Sequence, residues 1–301
     1  MTTTRALAAL LLLAACQSLP PGVAARALDG RNLPPWAPGA QHTATLEHQL
    51  AAAEAEFAAH PDDPDQAIWV GRRLGYLGRF REAIAVYTWG LRRHPGDPRF
   101  LRHRGHRWLT LRELDRAAAD LEQAAVLCRT VPDAVEPDGQ PTPGRPPHST
   151  LHGNVHYHLG LAEFCRGDFA AAERAWLAAL AIAQSDEMQV AVRHWLWCAR
   201  MQLGDPEGAA AVVAGVTPAA DVVENRAYHQ LCLLYAGRLE REAIPVPDGT
   251  AGAALRFGLA HHRWTTGDRE LARAELRQLA EAPYWPSFGV LAAEAILAAA
   301  R

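Results

Sequence analysis

Apolar positions along most of this chain recur at the spacing of one helix face, and glycine or proline breaks the pattern at regular intervals. The segment "DQAIWVGRRLGYLGRFREAIAVYTWGLRR", Asp65 to Arg93, reads as two amphipathic helices joined at Gly78. The string "HPDD" at His60–Asp63 returns as "HPGD" at His94–Asp97, thirty-four residues on, and Pro95 stops the second helix. A further strong copy turns at Gly167, and weaker copies stay in phase with glycine turns at Gly204, Gly237 and Gly267. The pattern predicts a half-pair over Gln41–Pro61, successive helix pairs after it, and a closing helix over Ser287–Arg301. Two stretches interrupt the array. "VPDAVEPDGQPTPGRPPHST", Val131–Thr150, is too rich in proline to continue a helix and too long for a turn, so it is disordered or a functional loop. "PVPDGTAG", Pro245–Gly252, is a shorter break.

The thirty-four-residue pair resembles a tetratricopeptide (TPR) repeat. Gly71 stands at the small position where the two helices approach, Gly78 at the turn, Phe80 at the aromatic after it, Ala83 and Tyr87 on the second helix, and Pro95 at the terminator. The copy with Gly160, Gly167, Phe169, Ala172, Trp176 and Ala179 matches as well. The resemblance covers residues 41–301 apart from the inserts at 131–150 and 245–252. It implies an all-α fold, a right-handed α-solenoid of TPR-like hairpins whose first helices line a concave inner surface. In this family, function is carried by the side chains on that surface and the fold names no partner.

The N-terminus adds a destination. An apolar run from Ala6 to Ala15 follows Arg5 and is too short for a permanent membrane span. It ends in "LAAC", Leu13–Cys16, which resembles the lipobox of bacterial lipoproteins. That resemblance implies a signal peptide over residues 1–15, a lipidated Cys16 and a proline-rich tether over 16–40. Gln17 after the cysteine points to the outer membrane, with the protein facing the periplasm. Several acyl chains give a stable anchor where one would be marginal.

Composition narrows the chemistry. A formal charge of −3 gives no bulk attraction to nucleic acid. The chain has no lysine, so each of its 30 Lys/Arg cations is a guanidinium, the group best matched to planar anions. Cys128, Cys165, Cys198 and Cys232 form no CxxC pair; they read as buried thiols, with a disulfide left open. There is no GxSxG, no HExxH and no Gly-rich phosphate loop, so catalysis is not expected and no cofactor is implied.

One cluster stands out. "FLRHRGHRWL", Phe100–Leu109, falls on the first helix of the second pair. Arg102 and His106 lie one turn apart on the expected inner surface; Arg72 joins them from the preceding pair, and Asn154 and Tyr157 hold comparable sites in the third. Together they predict a cationic patch for an acidic peptide segment or C-terminus of a partner protein. Arg107 is expected in solvent. Arg104 falls where the family carries an aliphatic residue. Leaving its charge buried and unpaired costs about 3–5 kcal/mol, so an acidic partner is expected. Asp133, Glu136 and Asp138 of the insert are the candidates, folding back over the groove. Two alternatives remain. One is a zinc or other metal site at His103, His106, His152 and His156; the other is a cell-wall hydrolase.

Overall fold

The computed structural model describes residues 19–300. The signal-peptide reading and Cys16 lie outside these residues. Among them are thirteen α-helices and one two-residue strand pair, in two compact units divided after Val131. None of these helices is long and apolar enough to cross a membrane.

The first unit opens with a small hairpin, β1 (Ala25–Arg26) against β2 (Asn32–Leu33), antiparallel. Its turn is set by Asp29, whose carboxylate accepts from the Arg31 backbone at 3.0 Å. Ala25, Ala27 and Leu33 are buried, and Arg81 donates to the Ala24 carbonyl at 3.2 Å. This part of the expected tether is therefore folded onto the unit, because apolar Ala25, Ala27 and Leu33 alternate with exposed Arg26 and Asn32 and give the hairpin one dry face.

Helices follow as the repeat predicts: α1 (Ala40–Ala59), then the hairpins α2 (Pro64–Tyr76)/α3 (Phe80–Arg93) and α4 (Pro98–Thr110)/α5 (Leu114–Cys128). The "DP" pairs explain why α2 and α4 start where they do. Asp63 and Asp97 each accept a backbone N–H from two residues on, at 2.9 and 3.0 Å, and a proline fills the first helical position. Gly71 is small for a reason: a Cβ there would collide with the Tyr87 ring, which closes the α2–α3 interface. The α4–α5 turn uses Arg112 at φ 65° where Gly78 holds the equivalent place in the previous hairpin. An arginine accepts that left-handed conformation at some cost in strain.

The second unit contains α6 (Leu151–Arg166), α7 (Phe169–Ile182), α8 (Asp186–Gln202), α9 (Pro206–Val213), α10 (Arg226–Tyr235), α11 (Ala253–Thr266), α12 (Arg269–Ala280) and α13 (Phe288–Ala299). The pair expected around Gly237 is only half made. After α10 the chain forms only two short 3-10 turns, Arg241–Ala243 and Gly249–Gly252, since Pro245 and Pro247 leave too few residues for a second helix. The closing helix α13 packs on α11 and α12 and also returns to α6, where Phe288 meets His158 edge-on at 5.7 Å. Trp176, Trp195, Phe164 and Phe257 lie fully buried between these helices. The long insert is ordered at its base, where Val135 bridges Thr150 and Glu136 N–H donates to Ser149 at 2.9 Å.

Candidate functional site

In the first unit, α2 and α4 are neighbours and carry the arginines singled out in the sequence. Arg72 lies over the Trp69 ring at 4.4 Å and donates to the Tyr76 hydroxyl at 3.3 Å. Arg73 also stacks on Trp69, at 4.9 Å. From α4, an Arg102 terminal nitrogen lies 2.9 Å from His103 Nδ1, and the His103 ring stacks on Tyr87. His106 shares this helix and is half-buried.

Arg107 departs from expectation. Instead of reaching into solvent it folds back across α2: its Nη1 lies against the bare Cα of Gly75, and its guanidinium sits 5.7 Å from the Phe80 ring centroid. Desolvation lowers its pKa, and the Arg102 and Arg72 charges act in the same direction. Arginine remains protonated through such a shift. The Arg107 guanidinium makes no hydrogen bond or ion pair with any described residue. Gly75, one turn after Gly71, is the sequence signal that an incoming side chain can lodge there.

Asn154 and Tyr157 do not form part of an open groove. Asn154 is buried, and its amide donates to the carboxylate of Glu136 and to Ser149 at 3.1 Å. The Tyr157 hydroxyl accepts from Trp195 Nε1 at 2.9 Å and lies 3.4 Å from the Tyr228 hydroxyl. Asn154 is thus buried and Tyr157 half-buried within the second unit, Tyr157 against its aromatic residues.

Arg104 has the acidic partner that its position demands, but it is not in the insert. Its Nε and Nη2 each donate to Asp120 of α5 at 2.7 Å, and Nη1 reaches Thr88 at 3.1 Å. The α4–α5 hairpin brings Asp120 directly opposite, so no loop is needed. The insert carboxylates are used elsewhere: Asp133 accepts from the His152 backbone at 2.9 Å, Glu136 holds Asn154, and Asp138 accepts from the Gln140 backbone at 2.9 Å.

No group of three or more His, Cys, Asp or Glu among the described residues is arranged to hold a metal ion. His103 is instead committed to Tyr87 and Arg102, and burial beside His152 lowers the pKa of His156. Cys128, Cys165, Cys198 and Cys232 are all buried, and burial pushes the Cys198 and Cys232 thiols up, away from reactivity.

Two buried histidines escaped sequence reading. His194 of α8 and His261 of α11 are wholly inaccessible, and burial brings each pKa down to about 3. His194 Nδ1 meets the Tyr235 hydroxyl at 3.2 Å; His261 Nε2 meets the Gln202 amide at 2.8 Å. The other nitrogen of each ring has no hydrogen-bond partner.

No protein-family model matches the chain, and no curated protein matches it. Among solved structures it is similar to a thermophilic TPR protein of Thermus thermophilus, at 18% identity over 64% of this chain and 93% of that one, TM-score 0.47. It is also similar to a tetratricopeptide repeat protein from Parabacteroides merdae, at 15% identity over 79% of this chain and 85% of that one, TM-score 0.47. Similarity at that level adds nothing to what the hairpins themselves show.

Proposed function

We propose that this chain is a non-catalytic adaptor that binds an acidic segment or C-terminus of a partner protein on the α2–α4 face of its first unit. The observation that carries the reading is Arg107. A half-buried guanidinium with no carboxylate among the described residues stands beside Arg72 and Arg102, on a face floored by Trp69, Tyr76 and Tyr87. Desolvating a cation without a counter-charge is unfavourable, and a carboxylate brought by a ligand removes that cost through charge-assisted bidentate bonds. The aromatic floor suits apolar residues flanking the acid. The lipobox-like "LAAC" supports, in the same proposal, an outer-membrane location through lipid on Cys16, with the adaptor facing the periplasm.

The test is crosslinking in intact cells from a photoreactive residue at His106, followed by mass spectrometry of the adduct. An acidic protein segment is the expected product, lost in the Arg107→Gln variant and weakened by salt. Glycan adducts, or an unchanged adduct in Arg107→Gln, would remove the α2–α4 face from the account. Anchoring is tested separately: Cys16→Ser should release the protein from membranes into the soluble periplasmic fraction.

A further inference from the structure

The second insert helps to build a cavity within the second unit. Residues Val246–Gly249 form one wall, α11 the next, and the end of α12 with its following loop closes the third, enclosing about 570 Å³. That volume is within the range of small-molecule sites. The wall is anchored: Val246 packs on the apolar cluster of Leu231, Ile244, Leu255 and Leu259, and the Pro247 carbonyl lies against Gly252, where a Cβ would collide with it.

The charges around the cavity are unequal in their commitments. Glu275 is neutralised by two arginines, Arg241 at 3.0 Å and Arg263 at 3.3 Å. Arg256 is held only loosely. Its Nη2 makes long bonds to the Pro247 carbonyl, 3.2 Å, and to Asp248, 3.1 Å, a carboxylate that is itself fully exposed. Its Nε is buried without a partner, and its Nη1 makes no hydrogen bond. Arg256 lines the cavity, and a guanidinium with an unused terminal N–H there is matched by one carboxylate. Leu259, Leu279 and Val246 supply an apolar lining beside it, while Asp248 and Glu281 on the rim repel a second negative charge.

We propose that this cavity binds a small apolar monocarboxylate, its carboxylate on Arg256 and its hydrocarbon body against Val246, Leu259 and Leu279. A free branched-chain acid and the last residue of a peptide present the same chemistry, and the two are distinguished by experiment. The full chain is titrated with 4-methylpentanoate, with N-acetyl-Gly-Gly-Leu, and with the C-terminal amide of that peptide, followed by amide chemical shifts and calorimetry. Both acids bind saturably, and the amide binds about tenfold or more weakly, since it forfeits a hydrogen bond to a charged group. Tighter binding of the peptide acid identifies a protein C-terminus as the source; equal or tighter binding of 4-methylpentanoate identifies a free acid. Arg256→Gln weakens both acids about tenfold with far-UV circular dichroism and melting temperature unchanged. Asp248→Asn tightens binding by releasing the Arg256 fork, and provides the decisive variant should Arg256→Gln unfold. Equal affinity of acid and amide, no saturable binding of either acid, or no response to Arg256→Gln and Asp248→Asn overturns the proposal.

Discussion

At the scale of single residues, the buried charges show what a sequence can and cannot say. That Arg104 needs an acid was legible, because an arginine stands on a helix face meant for the core. Which acid was not, because Asp120 sits in "RAAADLEQ" like any solvated helix carboxylate and only the hairpin brings it opposite. With Arg104 and Asp120 side chains only 20% and 10% exposed, losing one partner strands the other. Asp120→Ala is expected to cost about 3 kcal/mol of unfolding free energy, whereas Arg104→Leu with Asp120→Leu together costs far less. A urea double-mutant cycle measures this, and additive losses would show the pair to be uncoupled. His194 and His261 give a second prediction. Each has a folded pKa of about 3 against an ordinary value of 6.5, so below 6.5 the unfolded chain binds more protons than the folded one. Stability is therefore complete above pH 6.5 and falls as pH drops toward 3, by up to about 1.4 kcal/mol per pH unit for each ring. At pH 5 the loss is about 2 kcal/mol per histidine, and His194→Phe should roughly halve the slope of urea midpoint against pH. The surroundings offer no rescue: Tyr228, Tyr235, Trp195 and Phe257 face His194, and Phe164, Trp197, Phe257, Gln202 and His262 face His261, with no carboxylate among them.

At the scale of elements, the most legible features were those with a local cause. The Asp-Pro starts of α2 and α4 and the glycine turns are local, and the structure places them where the repeat requires. The Asp97 cap does more than begin a helix. It also pairs with Arg99 at 2.6 Å, and Arg99 reaches back to Asp65 at the start of α2, so successive repeats are joined through their caps. Asp97→Ala is expected to lower unfolding free energy by about 1 kcal/mol or more, read from denaturant midpoints. Gly160 is equally demanding: a Cβ there would meet the Trp176 indole, which donates to the Tyr157 carbonyl at 3.1 Å. Gly160→Ala should cost about 1–3 kcal/mol, and a silent substitution would mean that the indole has room to retreat. Elements that depend on distant partners are less legible. Proline suggests an extended tether over 16–40, yet within it the β1–β2 hairpin buries Ala25, Ala27 and Leu33. Composition alone leaves the insert at 131–150 between disorder and a functional loop. It is held at its base by the Val135–Thr150 bridge and further along by Arg145 on Asp221 at 2.5 Å.

At the scale of the molecule, the in-phase repeat suggested one uniform inner surface from Arg72 to Tyr157. The two units differ in what fills their helix faces. On the α2–α4 face, arginines stack on aromatic rings and Arg107 has no carboxylate partner among the described residues. In the second unit, α13 returns to α6, and the inner helices close over Trp195, Phe257 and two neutral imidazoles. Periodicity reports which face of a helix points inward, but says nothing of what will pack against it: Arg72 stacks on Trp69, whereas Asn154 bonds Glu136 and Tyr157 bonds Trp195. The division has a consequence for acid response. His194 and His261 both lie in the core that α13 seals, so mild acid should act on the second unit as a cooperative body rather than by fraying single helices. Hydrogen exchange followed by mass spectrometry at pH 7 and again near pH 5, corrected for intrinsic rates, reads this directly. Peptides from α6, α8, α11 and α13 should lose protection together at the lower pH, and His194→Phe with His261→Phe should restore it wherever those rings pack acceptably. Protection lost from α8 and α11 while α6 and α13 stay closed would show that the return of α13 does not bind the unit into one.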